Sequence, residues 1–371
     1  MILHFLSELR SLWEPLGNLS SLAVRAGLAA VTAFLVALLM GPHLLRALRS
    51  KHYIEDQVHT GSLKLNEINS NKGPTPTMGG LMIVSAVLVA GIVFGDLTNS
   101  YVMLAILSTL GYGFIGFIDD WIKLTHPGRK GLQAASKYTL QALVAASLAF
   151  VITEIFKQQG MAELLTLRVP FVDGWSLDLS GLGGIPHMLF VMLVVTGTSN
   201  AVNLTDGMDG LAPGSMIVAA LSMAVLCVAV GRAQTLELDL LYVPRSQEMT
   251  VFCTAMAGAT LGFLWFNAPP AMVYMGDTGS LPLGSLLGYV AVVLKQELVL
   301  FIIGGVFVWE ALSVILQVGT FKITGGKRIF LCAPYHHHLQ FQGLPETRIV
   351  VRFWIVSVLF AAAGLGSLAV L

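Results

Sequence analysis

Charge is what this chain has least of. Only 11% of its 371 residues are Asp, Glu, Lys or Arg, while 55% are hydrophobic; a soluble chain carries roughly 25% charged residues. That shortage excludes a water-soluble globular protein. Its 21 basic and 21 acidic side chains cancel, so no bulk field draws it to nucleic acid and no such partner is expected. Cysteine is scarce as well. Cys227 and Cys253 fall inside apolar runs and Cys332 in a polar connection, which gives neither a disulfide framework nor a zinc-binding spacing. Low-complexity tracts and usable internal repeats are missing, so one unit, residues 1–371, is expected. The first 21 residues hold Glu8, Arg10, Glu14 and Pro15 without a basic start or small-residue cleavage site. They do not read as a signal peptide, and the first apolar run is expected to direct insertion.

What the chain does have is long apolar runs, ten of them: 22–45, 76–95, 101–118, 134–156, 185–203, 211–231, 250–266, 279–294, 298–320 and 349–370. A membrane-spanning helix needs about 20 such residues. The fold class is therefore an all-α polytopic membrane protein of about ten transmembrane helices. The stretch 164–184 contains Asp173-Gly174 within partly alternating residues, which predicts a small external β-hairpin. Lys and Arg set the orientation. Thirteen lie in one set of connections (Arg46, Arg49, Lys51, Lys64, Lys72, Lys123, Arg129, Lys130, Lys137, Lys322, Lys327, Arg328, Arg348) and six in the other. The richer side is assigned to the cytoplasm, with both termini outside.

On that map the acids gather at one face. Asp119, Asp120, Asp206, Asp209 and Asp277 all sit in short polar gaps at the cytoplasmic edge. Grouped carboxylates need a cation or a polar substrate to offset their repulsion. Asp119 and Asp120 close the third helix, where acids oppose the helix dipole. Adjacent residues point about 100° apart, so simple helical geometry does not aim both at one ligand. Asp209 and Asp277 each have a capping reading, with glycine neighbours that also suit a phosphate; spacing does not choose between the two. Thr75 and Thr77 read as caps of the second helix, and Lys72 before Pro74 as a phosphate-binding point charge. Oxygen-rich surroundings suit Mg²⁺, which binds one or two carboxylates plus substrate phosphates. His336, His337 and His338 can donate to phosphate or sugar oxygens. Glu310 and Gln317, seven apart, share one face of the ninth helix, and Gly304-Gly305 permits a bend there.

The strings PTPTMGG (74–80), GFIDDWIK (116–123), NLTDGMDGLA (203–212), MGDTGSLPLG (275–284), APYHHH (333–338) and ETRIVVRFW (346–354) together resemble the bacterial phospho-N-acetylmuramoyl-pentapeptide transferases. These belong to the polyprenyl-phosphate N-acetylhexosamine-1-phosphate transferases, and the resemblance runs from first helix to last. It implies transfer of phospho-MurNAc-pentapeptide from UDP-MurNAc-pentapeptide to undecaprenyl phosphate, releasing UMP and making lipid I for peptidoglycan. It also implies Mg²⁺ dependence, a homodimer and the bacterial inner membrane. Carried over by motif, Asp119, Asp120, Asp277 and His336 are catalytic, with Asp277 and Asp120 as metal ligands. Lys72, Thr77, Lys123, Lys137, Asn203, Asp206, Asp209, Asn267, Tyr274, Gln317, His337 and His338 bind substrate, Tyr274 as the ring expected to stack on uracil. Gln340 stands where the family pattern leads us to expect an acid, and Pro282 is unusual in its string. A phosphate monoester has a second pKa of about 6, so direct attack is expected, with Asp119 orienting and not acting as base. The rival readings are a sister transferase using UDP-GlcNAc and, more remotely, a secondary transporter, whose site belongs near the midplane between repeats.

Overall fold

The computed structural model describes residues 21–50, 54–55, 75–126, 131–170, 172, 175–234 and 240–370. Among these residues twelve α-helices are formed: α1 Leu22–Ser50, α2 Gly80–Phe94, α3 Ser100–Thr125, α4 Ala134–Gln158, α5 Gly181–Thr205, α6 Leu211–Gly231, α7 Met249–Asn267, α8 Asp277–Leu294, α9 Glu297–Ile303, α10 Gly305–Ile323, α11 Tyr335–Phe341 and α12 Glu346–Val370. Nine described helical segments are long and apolar enough to cross a bilayer. The chain is thus a multi-pass membrane protein. The second run departs from the prediction. It begins only at Gly80 and spans 15 residues, because Thr75–Pro76 is extended (β2, paired with β1, Ile54–Glu55) and Met78 takes φ 73°. The ninth run breaks at Gly304 into α9 and α10, as the paired glycines allow.

Lipid supplies little force to drive helices together, so close backbone approach does much of the packing. At the centre stands α8, every residue of which is buried. It is flanked by α5, α3, α2 and α6. Gly284 lets α5 lie against it, since a Cβ there would come within 2.6 Å of the Ser199 Cα. Gly116 does the same for α3, where a Cβ would meet the Thr278 nitrogen at 2.7 Å. These contacts bring the end of α3 onto the start of α8. The predicted hairpin is present as β3 Thr166–Arg168 and β4 Ser176–Asp178, antiparallel with Leu167 opposite Leu177; Asp173-Gly174 lies outside the described residues.

Candidate active site

Asp120 leaves the last turns of α3 and reaches the N-terminus of α8. Its Oδ1 accepts the Asp277 N–H at 3.2 Å, and its Oδ2 accepts the Thr278 N–H at 2.9 Å and hydroxyl at 2.6 Å. An acid that opposes its own helix dipole thereby gains the favourable end of another. Neither Asp277 nor any residue of α8 caps that helix by its own side chain, so the capping reading of Asp277 is wrong. The cap comes from a different helix.

Asp119 turns toward the connection after α3. Its Oδ1 accepts the Leu132 N–H at 2.9 Å, and the Lys123 ammonium lies 2.7 Å from Oδ2. Gly131, at φ 90°, passes so close that a Cβ would strike the carboxylate at 2.8 Å. Asp277 receives the Asn203 amide on Oδ1 at 2.7 Å, while its Oδ2 pairs with Lys137 and lies 3.5 Å from Lys123. The three carboxylates are buried and offer ligand atoms within 4.8 Å of one another. Adjacent Asp119 and Asp120 therefore do serve one centre, contrary to the simple helical argument, because each side chain bends around a different neighbour. Among the described residues, three acids against two lysines leave one surplus negative charge.

Beside this centre lies a cavity of about 190 Å³ lined by Asp120, Lys123, Asn203, Asp206, Asp209, Asn267, Tyr274 and Asp277, among others. Of the substrate-site expectations, these residues are brought together. Thr77 is nearby, its buried hydroxyl without a hydrogen bond and 3.0 Å from where a Cβ on Gly276 would stand. Asp209 does not cap α6, which Gly210 begins at φ 79°. Its carboxylate instead accepts the Ala271 N–H at 2.9 Å. Asn267 ties loops together, accepting from Gly210 N–H and donating to Val273 O, each at 2.9 Å. Likewise Thr75 and Thr77 do not cap α2, which Gly79 precedes without a side-chain cap.

The chain belongs to the phospho-N-acetylmuramoyl-pentapeptide-transferase family. It is 43% identical over 376 residues to the phospho-N-acetylmuramoyl-pentapeptide-transferase of Oleidesulfovibrio alaskensis, covering 100% of this chain and 99% of that protein. The same-named proteins of Desulfatibacillum aliphaticivorans and Thermodesulfovibrio yellowstonii are 42% and 43% identical, covering 99% and 98% of each chain. Residues 101–295 also match the family model described as glycosyl transferase family 4.

In this family member the histidine triplet divides. His336 is fully buried; its N–H and ring Nδ1 meet the Glu310 carboxylate at 3.1 and 3.0 Å. With Nδ1 so held, Nε2, which has no hydrogen-bond partner among the described residues, faces Gly207 of the cavity loop. The spacing of Glu310 from Gln317 in the sequence carries no sign of this pairing. His337 Nδ1 lies 3.1 Å from Gln340 Oε1, so the amide still orients a ring where an acid was expected. His338 accepts the Leu331 N–H at 3.1 Å, and Gln317 holds the backbone of Ile329 and Phe330. Those two side chains are thus engaged in shaping a loop. Partial burial pushes the Cys332 thiol up, away from thiolate reactivity. Lys72 lies outside the described residues.

Proposed function

We propose that this chain transfers phospho-MurNAc-pentapeptide from UDP-MurNAc-pentapeptide to undecaprenyl phosphate, releasing UMP and forming lipid I, at the cytoplasmic face of the bacterial inner membrane. The observation that carries this is the convergence of Asp119, Asp120 and Asp277 with Lys123 and Lys137 beside a polar cavity at one end of the bundle. A site at the membrane edge favours a transferase over a transporter. Its full-length relatives favour the muramoyl-peptide donor over UDP-GlcNAc.

Reaction between two phosphates brings anions together, so positioning and charge compensation dominate. Hard carboxylate oxygens gathered within 4.8 Å fit Mg²⁺. Asp277 would hold it, with Asp120 contributing what its three accepted hydrogen bonds leave of about four lone-pair positions. The ion would supply positive charge at the phosphate oxygens. Lys123 and Lys137 bind the same oxygens as point charges, and His336 presents Nε2 toward the ligand. Asn203 steadies Asp277, and Tyr274 offers a ring to uracil. Asp119, with both oxygens engaged by Leu132 and Lys123, orients the Lys123 ammonium and the connecting loop. It has no need to remove a proton from a phosphate already largely dianionic. We expect a homodimer, measurable by mass in nanodiscs.

The test is UMP release by purified full-length protein given undecaprenyl phosphate with either UDP-sugar. Release with UDP-MurNAc-pentapeptide only, abolished by EDTA and restored by Mg²⁺, is expected. Exclusive use of UDP-GlcNAc, or no release with either donor, overturns the proposal.

A further inference from the structure

From residue 311 to residue 345 the chain contains no Asp or Glu, yet it carries Lys322, Lys327 and Arg328, all exposed. Large apolar side chains alternate with them: Ile323 is 87% exposed, Ile329 52% and Leu331 50%. This segment follows α10, whose outward residues Ile315 and Val318 are also exposed, so the lipid-facing surface of that helix runs unbroken into the loop.

The loop is held in one shape. Gln317 Oε1 accepts the N–H groups of Ile329 and Phe330, both at 3.0 Å, and its Nε2 donates to Phe330 O at 3.1 Å. The Phe330 ring turns inward, edge-on to Tyr335 and His338, while Ile329 and Leu331 on either side turn outward. Fixed apolar side chains facing out beside cations that have no acidic partner among the described residues are unfavourable in water. At a membrane interface both are satisfied, apolar groups at the acyl boundary and cations among the headgroup phosphates.

We propose that residues 322–331 form a docking surface for anionic phospholipid headgroups, with Ile323, Ile329 and Leu331 inserted beneath Lys322, Lys327 and Arg328. The charge complementarity selects an anionic over a zwitterionic lipid, each cation contributing about fivefold in affinity near an anionic surface. This surface is separate from the transferase reading, since lipid retention is measured without turnover.

Native mass spectrometry of the full-length chain, released from micelles holding equal phosphatidylglycerol and phosphatidylcholine, tests it. Wild type is expected to retain phosphatidylglycerol preferentially. K327Q should weaken that preference about fivefold and K322Q/K327Q/R328Q about a hundredfold, with elution volume and unfolding midpoint unchanged. I323S/I329S should lower retention of both lipids together, and raised salt should narrow the preference. Equal preference in wild type and the triple variant overturns the proposal and leaves the patch to an acidic protein partner. Displacement of the lipid by 10 mM inorganic phosphate, on the order of a weak soluble-anion site, also overturns it.

Discussion

At the end of the bundle away from Asp277, buried charges among the described residues meet opposite ones. Arg25 forks onto Glu248 at 2.6 and 2.8 Å and also donates to Phe94 O at 2.9 Å. Lys295 meets Glu297 at 2.9 Å, each side chain 1% exposed. At the Asp277 end three carboxylates share two ammonium groups around a polar cavity. Among the described residues the two ends are similarly buried, yet one pairs its charges and the other holds more acids than ammonium groups. A closed pair holds helices in place; a surplus of one sign at a cavity is a demand for a ligand.

The largest test of that contrast is Asp277→Asn. Turnover should fall by about a thousandfold, while the unfolding midpoint without added metal should fall by less than that of Lys295→Met, because Lys123 and Lys137 keep Asp119 as a partner. A drop as large as that of Lys295→Met would make the cluster a structural knot instead. Lys295→Met is the mirror experiment. It strands Glu297 in a buried position and should cost about 3 kcal/mol of stability, with turnover per folded molecule within about twofold of wild type, inside the spread of a distant site. Loss of turnover without loss of stability would erase the distinction between the ends.

Asp119→Asn sharpens the catalytic side. We expect turnover about a hundredfold lower, the scale of a misplaced reactant, by the same factor at pH 7 and pH 9. Recovery at pH 9 with unchanged Mg²⁺ affinity would restore Asp119 as a general base. The smallest effect belongs to the paired end. Partial burial raises the Asp96 carboxyl, but hydrogen bonds from Thr98 and the Arg245 guanidinium outweigh it and hold the group below 3.8. A carboxyl depressed on folding adds stability above its ordinary pKa and loses it as pH falls further. Unfolding midpoints of wild type should therefore drop slightly more than those of Asp96→Asn between pH 6 and pH 3. Identical drops would show that this exposed pair adds nothing.

Much of this was legible in the residues. Nine of ten apolar runs became spanning-length helices, the bend fell at Gly304, and the strings around Asp120, Asp206 and Asp277 do line one cavity. The misses share a cause. Local spacing offers Asp209 and Asp277 only a capping role at the helices they adjoin. The real partners, Ala271 for Asp209 and Asp120 for the head of α8, are 62 and 158 residues away in sequence. Glu310 and His336 are hidden in the same way, 26 residues apart and fully buried together.

Composition and the spacing of apolar runs decided that this chain lives in a bilayer and that its acids fall in the gaps between apolar helices. Those are consequences of transfer free energy, which adds up residue by residue along the chain. Only the packed structure decided which acid caps α8, which holds the Lys123 ammonium and which histidine turns its free nitrogen toward the cavity. Hydrogen bonds and ion pairs act over a few ångströms, and the helices that come that close are chosen by glycine contacts such as Gly116 and Gly284.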